Sequence, residues 1–260
     1  LRVLVLPIYF GLAIVVEEER LARQPELAAF LDWLEGLEGK SMLLERAETM
    51  RIQAMLFQHR IYFQKEADLE HLARRYLDSL KRELVSELGQ PVRADLDAFD
   101  EALETMRHGH VLGHVVATGV GGGSVPAVAR AYFDAHKQHG RDVWVADRFR
   151  SVDIAQVRRN LEHAGLLDGR VHLLEGDPAA TLPEAPVDRV AVLHGGAGTG
   201  PHAAAVRAAA YPRLAPGGVV VVERASDRAV RASIVAFRAA HGITEAETTV
   251  ASTATTWRRR

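Results

Sequence analysis

The stretch "ATGVGGGS", residues 117 to 124, places Gly119, Gly121, Gly122 and Gly123 between an apolar run and a helical one. Glycines at this spacing let backbone amides approach a ligand with no side chain in the way, and a turn that opens a helix aims those amides at negative or polar groups. Asp147 ends the next apolar run, where a carboxylate can accept hydrogen bonds from ribose hydroxyls. "EGD", residues 175 to 177, ends a third run, while His194 and Glu223 end a fourth and a fifth. Together they outline a crevice for a nucleotide-like cofactor, with an imidazole and a carboxylate placed to take a proton. The bland alternative is a tight turn in a sheet, with His194 as one of 12 histidines in a glycine-rich loop.

Positioning these residues requires strands. Val115 to Val120, Val143 to Ala146, Val171 to Leu174, Val190 to Leu193 and Val219 to Val222 are continuous Val- and Leu-rich runs, most of them separated by helical stretches. Strands buried on both faces have this composition, so the C-terminal half is expected to be an α/β domain, a mostly parallel sheet with helices on both faces. Ligands in such sheets bind at the carboxyl ends of the strands, beside the point where strand order reverses.

Before residue 111 the pattern is mainly helical. Leu27, Phe30, Leu31 and Leu34 recur at helical spacing, as do Met50, Ala54, Phe57 and Ile61, and then Leu69, Leu72, Tyr76, Leu80 and Leu84. "RADLDAFDEALETMRHG" adds one more short helix. This divides the chain into a region 1–110, a candidate surface for a protein partner or for homo-oligomer formation, and a domain 111–260. The apolar run from Val3 to Val16 is shorter than the roughly 20 residues of a membrane helix and holds Pro7, so it is expected to be strand or helix of a soluble protein.

A formal net charge of −2 gives no electrostatic case for nucleic acid or an anionic membrane. Zero cysteine removes disulfides, thiolate metal sites and cysteine nucleophiles, and fits a cytoplasmic location. His108, His110 and His114 lack the carboxylate or thiolate pattern of a transition-metal site, and His136 and His139 read as residues of a solvated helix face.

The glycine turn with a downstream acid is common to NAD enzymes and S-adenosylmethionine enzymes. The later "AAAYPRLAPGGVVVVERAS" separates them, since a helix running into this Tyr-Pro-Arg-Leu turn and then an apolar strand is typical of class I methyltransferases. The ordered set "RYLDSLKREL", "TGVGGGS", "VWVADRF", "NLEHAGLLDGRVHLLEGD", "AAYPRLAPGGVVVVE", "FRAAHGIT" and "TWRR" resembles the macrocin O-methyltransferase family, metal-dependent enzymes that methylate sugar hydroxyls of natural products. The likeness covers roughly residues 75 to 260. It implies a class I methyltransferase sheet with an antiparallel final strand near Thr248 to Trp257. It also implies that Thr118, Gly119, Gly121, Gly122, Gly123 and Ser124 hold the methionine end of S-adenosylmethionine, Asp147 its ribose, and Gly176 with Asp177 the adenine.

The chain departs from that family in three places. The acid that opens the family's glycine turn is Ala117 here, in a turn one residue shorter. The lid segment after the second strand is curtailed in "ADRFRSVDIAQVRRN". The family's metal-binding carboxylates correspond to His194, Gly196, Glu223 and Arg224, so no metal is expected. The leading expectation is therefore a degenerate methyltransferase-fold protein of natural-product biosynthesis with a structural or protein-binding role. The alternative is an active, metal-independent S-adenosylmethionine enzyme acting on a small natural product, with His194 or Glu223 as base. A third reading has the crevice binding a metabolite or catalysing a step such as cyclisation.

Overall fold

The computed structural model describes residues 2–5, 13–16, 66–88, 92–196, 203–250 and 254–260. β1 (Arg2–Val5) pairs antiparallel with β2 (Ala13–Val16), so the two described ends of the apolar run are strands. The helical segments expected between Glu17 and Ile61 lie outside the described residues.

Two helices follow, α1 (Glu66–Leu88) and α2 (Arg93–His108). Tyr76, Leu80 and Leu84 of the apolar stripe on α1 are buried in the same core as Phe99, Leu103 and Met106 of α2 and the strands below them. That part of the stripe is covered by this chain itself. The seam between the two helices is ionic: Lys81, with its side chain 4% exposed, reaches Asp100 at 2.6 Å, Asp97 at 2.9 Å and Asp78 at 3.4 Å. Burial pushes the Asp100 carboxyl above its ordinary range, against the opposing pull of Lys81.

From here strands and helices alternate. β3 (His114–Thr118), α3 (Ser124–Ala135), β4 (Val143–Asp147), α4 (Ile154–His163) and β5 (Val171–Glu175) come first. α5 (Pro178–Glu184), β6 (Val190–Gly195), α6 (Ala203–Ala210), β7 (Leu214–Val222), α7 (Arg228–Ala240), β8 (Thr248–Val250) and β9 (Ala254–Arg258) complete the order. The sheet runs β5-β4-β3-β6-β7-β9-β8. Every pair from β5 to β7 is parallel, and β9 is antiparallel to both β7 and β8. The expected single final strand is therefore two, Thr248 facing Thr256, because an antiparallel pair needs a reversal inside that segment.

Four of the five continuous apolar runs are strands with both faces covered, whereas β5, at the edge of the sheet, is only half-buried beyond Val171. Ala117, Val145, Val192 and Val221 face α2, α3 and α4, whereas Val116, Trp144, Leu193 and Val220 face α5, α6 and α7. The order reverses between β3 and β6, which places the crevice at their carboxyl ends.

One histidine departs from expectation. The His136 side chain is only 4% exposed, held against the Tyr132 ring at 4.3 Å between centroids, with Glu70 at 3.8 Å and Glu104 at 3.6 Å. A solvated face is predicted from α3 alone, but the ends of α1 and α2 cover it. Burial first, and the Arg107 guanidinium second, hold its pKa below the ordinary imidazole value, against the raising pull of Glu104, Glu70 and Asp100.

Two outcomes follow for stability. Lys81→Met should cost about 2 kcal/mol in urea denaturation, below the full value of a broken buried pair because Asp78 and Asp97 retain water, and Asp100→Leu in the same chain should recover part of it. For His136 the unfolded chain binds the proton at about pH 6.5 and the folded chain only at a lower pH. Its contribution is thus present above pH 6.5 and lost as pH falls through the folded value. The midpoint of thermal unfolding should drop on acidification from pH 7 to pH 5, and His136→Phe should flatten that drop.

Candidate active site

Parallel register builds the site row by row. Ala117 pairs with His194 and His194 with Val221, while Thr118 pairs with Gly195 and Gly195 with Val222. Glu223 lies two residues beyond Val221, and side chains two apart share a face. His194 and Glu223 therefore meet: Nε2 of His194 lies 2.8 Å from Oε1 of Glu223, with side chains 0% and 4% exposed. The edge of Phe99 from α2 closes over the imidazole, its centroid 5.2 Å away. Among the described residues, Nδ1 of His194 is buried with no hydrogen-bond partner. With Glu223 accepting a hydrogen bond from Nε2–H, the lone pair lies on Nδ1.

The glycine turn leads from β3 into α3 with Gly119, Gly121 and Gly123 at φ 66°, 54° and 100°. Its amides are held from below: Asp147 accepts Val120 N–H at 3.1 Å and Phe149 N–H at 3.0 Å, and Asn160 donates to the Gly122 carbonyl at 2.8 Å. A Cβ at Gly121 would meet nothing within 4 Å, so the outer side of the turn is open, as a ligand cradle requires. Gly196 is the opposite case. Its N–H donates to the Thr118 carbonyl at 2.8 Å, and a Cβ there would lie 2.2 Å from the Gly119 carbonyl oxygen.

The cofactor residues predicted from the sequence divide accordingly. Gly119, Gly121, Gly122 and Gly123 form one turn, Asp147 at the end of β4 is hydrogen-bonded to it through Val120 N–H, and Gly176 donates its N–H to the Asp147 carbonyl at 3.0 Å. Thr118 and Ser124 are fully buried, the Thr118 hydroxyl donating to the His194 carbonyl at 3.2 Å, so their side chains face the fold and not the crevice. Asp177 caps α5 through Ala179 N–H at 3.1 Å and forms an ion pair with Arg148. Sequence reasoning missed Phe99, Asn160 and Arg148. Only Arg148 had a signal, a cation directly after the acid that ends β4.

These residues fit S-adenosylmethionine at its nucleoside, through an open glycine cradle and a carboxylate beneath it. The divalent cation fares differently. His194 and Glu223 are bonded to each other, Gly196 has no side chain, and Arg224, itself a cation, lies 3.0 Å from Asp227. Among the described residues this set is not the oxygen cage a hard cation needs. The three histidines near 110 also diverge: Nδ1 of His108 contacts the Glu104 carbonyl, and Nδ1 of His114 accepts Asp142 N–H. The side chains of Glu70, Glu104 and His108 do converge, but the Arg107 guanidinium fills the space between the carboxylates, 2.5 Å from Glu70 and 2.8 Å from Glu104.

Comparison with known proteins agrees with this architecture. The model of the macrocin O-methyltransferase (TylF) family matches residues 92–153 and 150–259. The 8-demethyl-8-(2,3-dimethoxy-alpha-L-rhamnosyl)-tetracenomycin-C 4'-O-methyltransferase of Streptomyces olivaceus is 31% identical over 188 residues, 63% of this chain and 72% of that enzyme. The mycinamicin III 3''-O-methyltransferase of Micromonospora griseorubida is 30% identical over 191 residues, 63% of this chain and 75% of that enzyme. Among solved structures, the O-methyltransferase NovP superposes with a TM-score of 0.65 at 24% identity, covering 72% of this chain and 99% of NovP. Apo CalS11, a TDP-rhamnose 3'-O-methyltransferase, does so at 0.54 and 19%, covering 76% and 97%; both likenesses bear on the fold. The relatives are named as methyltransferases, which favours the active reading over the degenerate one. With an open glycine cradle, the strand order above and a family match over its C-terminal two-thirds, the chain belongs to the macrocin O-methyltransferase family and has the class I methyltransferase fold.

Proposed function

We propose that this protein is an S-adenosylmethionine-dependent O-methyltransferase that acts on a hydroxyl of a small natural product and works without a divalent cation. The observation that carries the reading is the His194–Glu223 hydrogen bond at the carboxyl ends of β6 and β7, beside the glycine turn, with Nδ1 of His194 left unpartnered among the described residues. The names of the relatives, O-methyltransferases of natural products of which one carries a rhamnosyl group, support the acceptor class.

When bound, S-adenosylmethionine supplies an electrophilic methyl group on a sulfonium, whose transfer to the acceptor oxygen leaves a neutral thioether. The protein's part is the proton. Nδ1 of His194 takes the hydrogen of the acceptor hydroxyl as the oxygen–carbon bond forms, which spares the oxygen a positive charge. Glu223 orients the ring through Nε2–H and stabilises the imidazolium that results, the role a carboxylate plays behind a catalytic histidine. Phe99 excludes water from the ring. His194 has no exposed surface in the form described, so proton transfer belongs to a form in which its cover is drawn aside.

The experiment is calorimetry with S-adenosylhomocysteine, with and without Mg²⁺, together with turnover on glycosylated acceptors. Binding and turnover should both ignore Mg²⁺ and EDTA. His194→Ala should lower turnover about a hundredfold or more while cofactor affinity stays within about twofold. Turnover that requires Mg²⁺, or that survives His194→Ala, overturns the metal-free mechanism, and absence of binding at millimolar ligand restores the degenerate reading. At the turn, Gly196→Ala should push the Gly119 carbonyl away and weaken S-adenosylhomocysteine binding. Gly121→Ala, strained only by its positive φ, should cost about 1 kcal/mol of stability in thermal unfolding.

A further inference from the structure

The amino ends of the strands hold a second cleft, away from the crevice. It lies where β3, β4 and β6 begin, three strands that are neighbours in the sheet, and its volume is about 500 Å³. β3 and β4 are five residues long, so at roughly 3.3 Å per residue about 15 Å of sheet separates this cleft from the glycine turn. Its walls are cationic, in a chain whose net charge is −2. Lys137, Arg141 and Arg189 line it with Asp188 as the one carboxylate, which leaves two positive charges in excess.

Arg141 is built into the fold. It is buried, and it donates to the carbonyls of Val111 and Gly113 at 2.7 Å each and to Oε1 of Gln138 at 3.0 Å, joining the loops that precede β3 and β4. None of these acceptors is charged, and three bonds leave two of the five guanidinium N–H donors over. Burial holds its pKa below the usual guanidinium value.

Lys137 and Arg189 have no such role: among the described residues neither side chain has a hydrogen bond or an ion pair. Asp188 faces His114 instead. Nδ1 of His114 accepts Asp142 N–H at 3.0 Å, so the ring hydrogen is on Nε2, 3.4 Å from Asp188. A cation beyond a helix C-terminus is favoured in general, but the closing carbonyls of α3 are already taken by the amides of His136, Lys137 and Gln138, and Arg189 ends no helix. Lys137 is moreover held at φ 55°, an angle at which glycine is the low-energy residue.

We propose that this cleft is a binding site for a phosphate monoester, with Arg141 as the fixed donor and Lys137 and Arg189 as the cations that pair with the phosphate oxygens. The excess of positive charge matches the roughly −1.5 to −2 that such a group carries at pH 7. The volume is that of a small-molecule site and larger than a bare phosphate fills. Leu112, 64% exposed on the same wall, offers apolar contact to the carbon skeleton of the ester.

The test is calorimetric titration of the full chain with phenyl phosphate and, separately, with inorganic phosphate, each with and without S-adenosylhomocysteine. Phenyl phosphate should bind at one site per chain, more tightly than inorganic phosphate and without competition from S-adenosylhomocysteine. Arg189→Ala and Lys137→Gly should each weaken it about tenfold, and Leu112→Ser should bring it toward the affinity of inorganic phosphate. Lys137→Gly should at the same time raise the midpoint of thermal unfolding, because it relieves the left-handed backbone angle, so that its lost affinity is separated from damage to the fold. Phenyl phosphate that binds no better than inorganic phosphate, that keeps its affinity in both cation variants, or that fails to bind at millimolar concentration overturns the proposal. Each of these outcomes leaves the S-adenosylmethionine reading untouched, since that reading belongs to the other end of the strands.

Discussion

The approach of Gly196 to the Gly119 carbonyl sets the geometry on which the rest of the site depends. A backbone contact this close fixes the level at which β6 ends relative to β3, and through the Glu223 N–H to Gly195 carbonyl bond it fixes β7 as well. Once three strands end level, the glycine turn has its height and His194 has Glu223 as a neighbour. One missing side chain thereby aligns the glycine turn with the His194–Glu223 pair.

On the proposed metal-free mechanism, that alignment explains how a site that the family resemblance assigns to a cation can hold something else. Two acidic side chains facing each other across parallel strand ends repel, and a cation between them relieves the repulsion. An imidazole in place of one of them relieves it internally, by a direct hydrogen bond within the core. On the same proposed mechanism, the family's position for stabilising charge is kept, while the agent changes from an ion to a side chain that can also accept a proton. Phe99 completes the substitution, since a ring edge over the imidazole keeps the pair dry.

Much of this was legible in the sequence. The Val-rich runs marked the five parallel strands because both faces of all but the edge strand β5 are buried, and the glycine spacing with Asp147 marked the turn because glycine tolerates those backbone angles most cheaply. The bond between His194 and Glu223 was not legible. It depends on register, which shifts between His114 and Val115 and again between Val190 and Val192, and such irregularities leave no local signature. The burial of His136 was missed for a related reason: the residues that cover it come from α1 and α2, far away in sequence. Where a property belongs to one strand or helix, periodicity reveals it, and where it belongs to a seam between elements, it appears only after folding.

The carboxylate of Asp147 ties Val120 to Phe149, joining the end of β4 to the turn that leaves β3. It is a structural staple whether or not a ribose ever rests on it. A chain of this fold that transfers no methyl group would still be held to an aspartate at this position, because losing it would loosen the fold. The fingerprint by which such domains are recognised therefore records the demands of folding as much as those of chemistry. His194 and Glu223, one pair in a core that apolar side chains could fill, are where inheritance of the activity itself would be written.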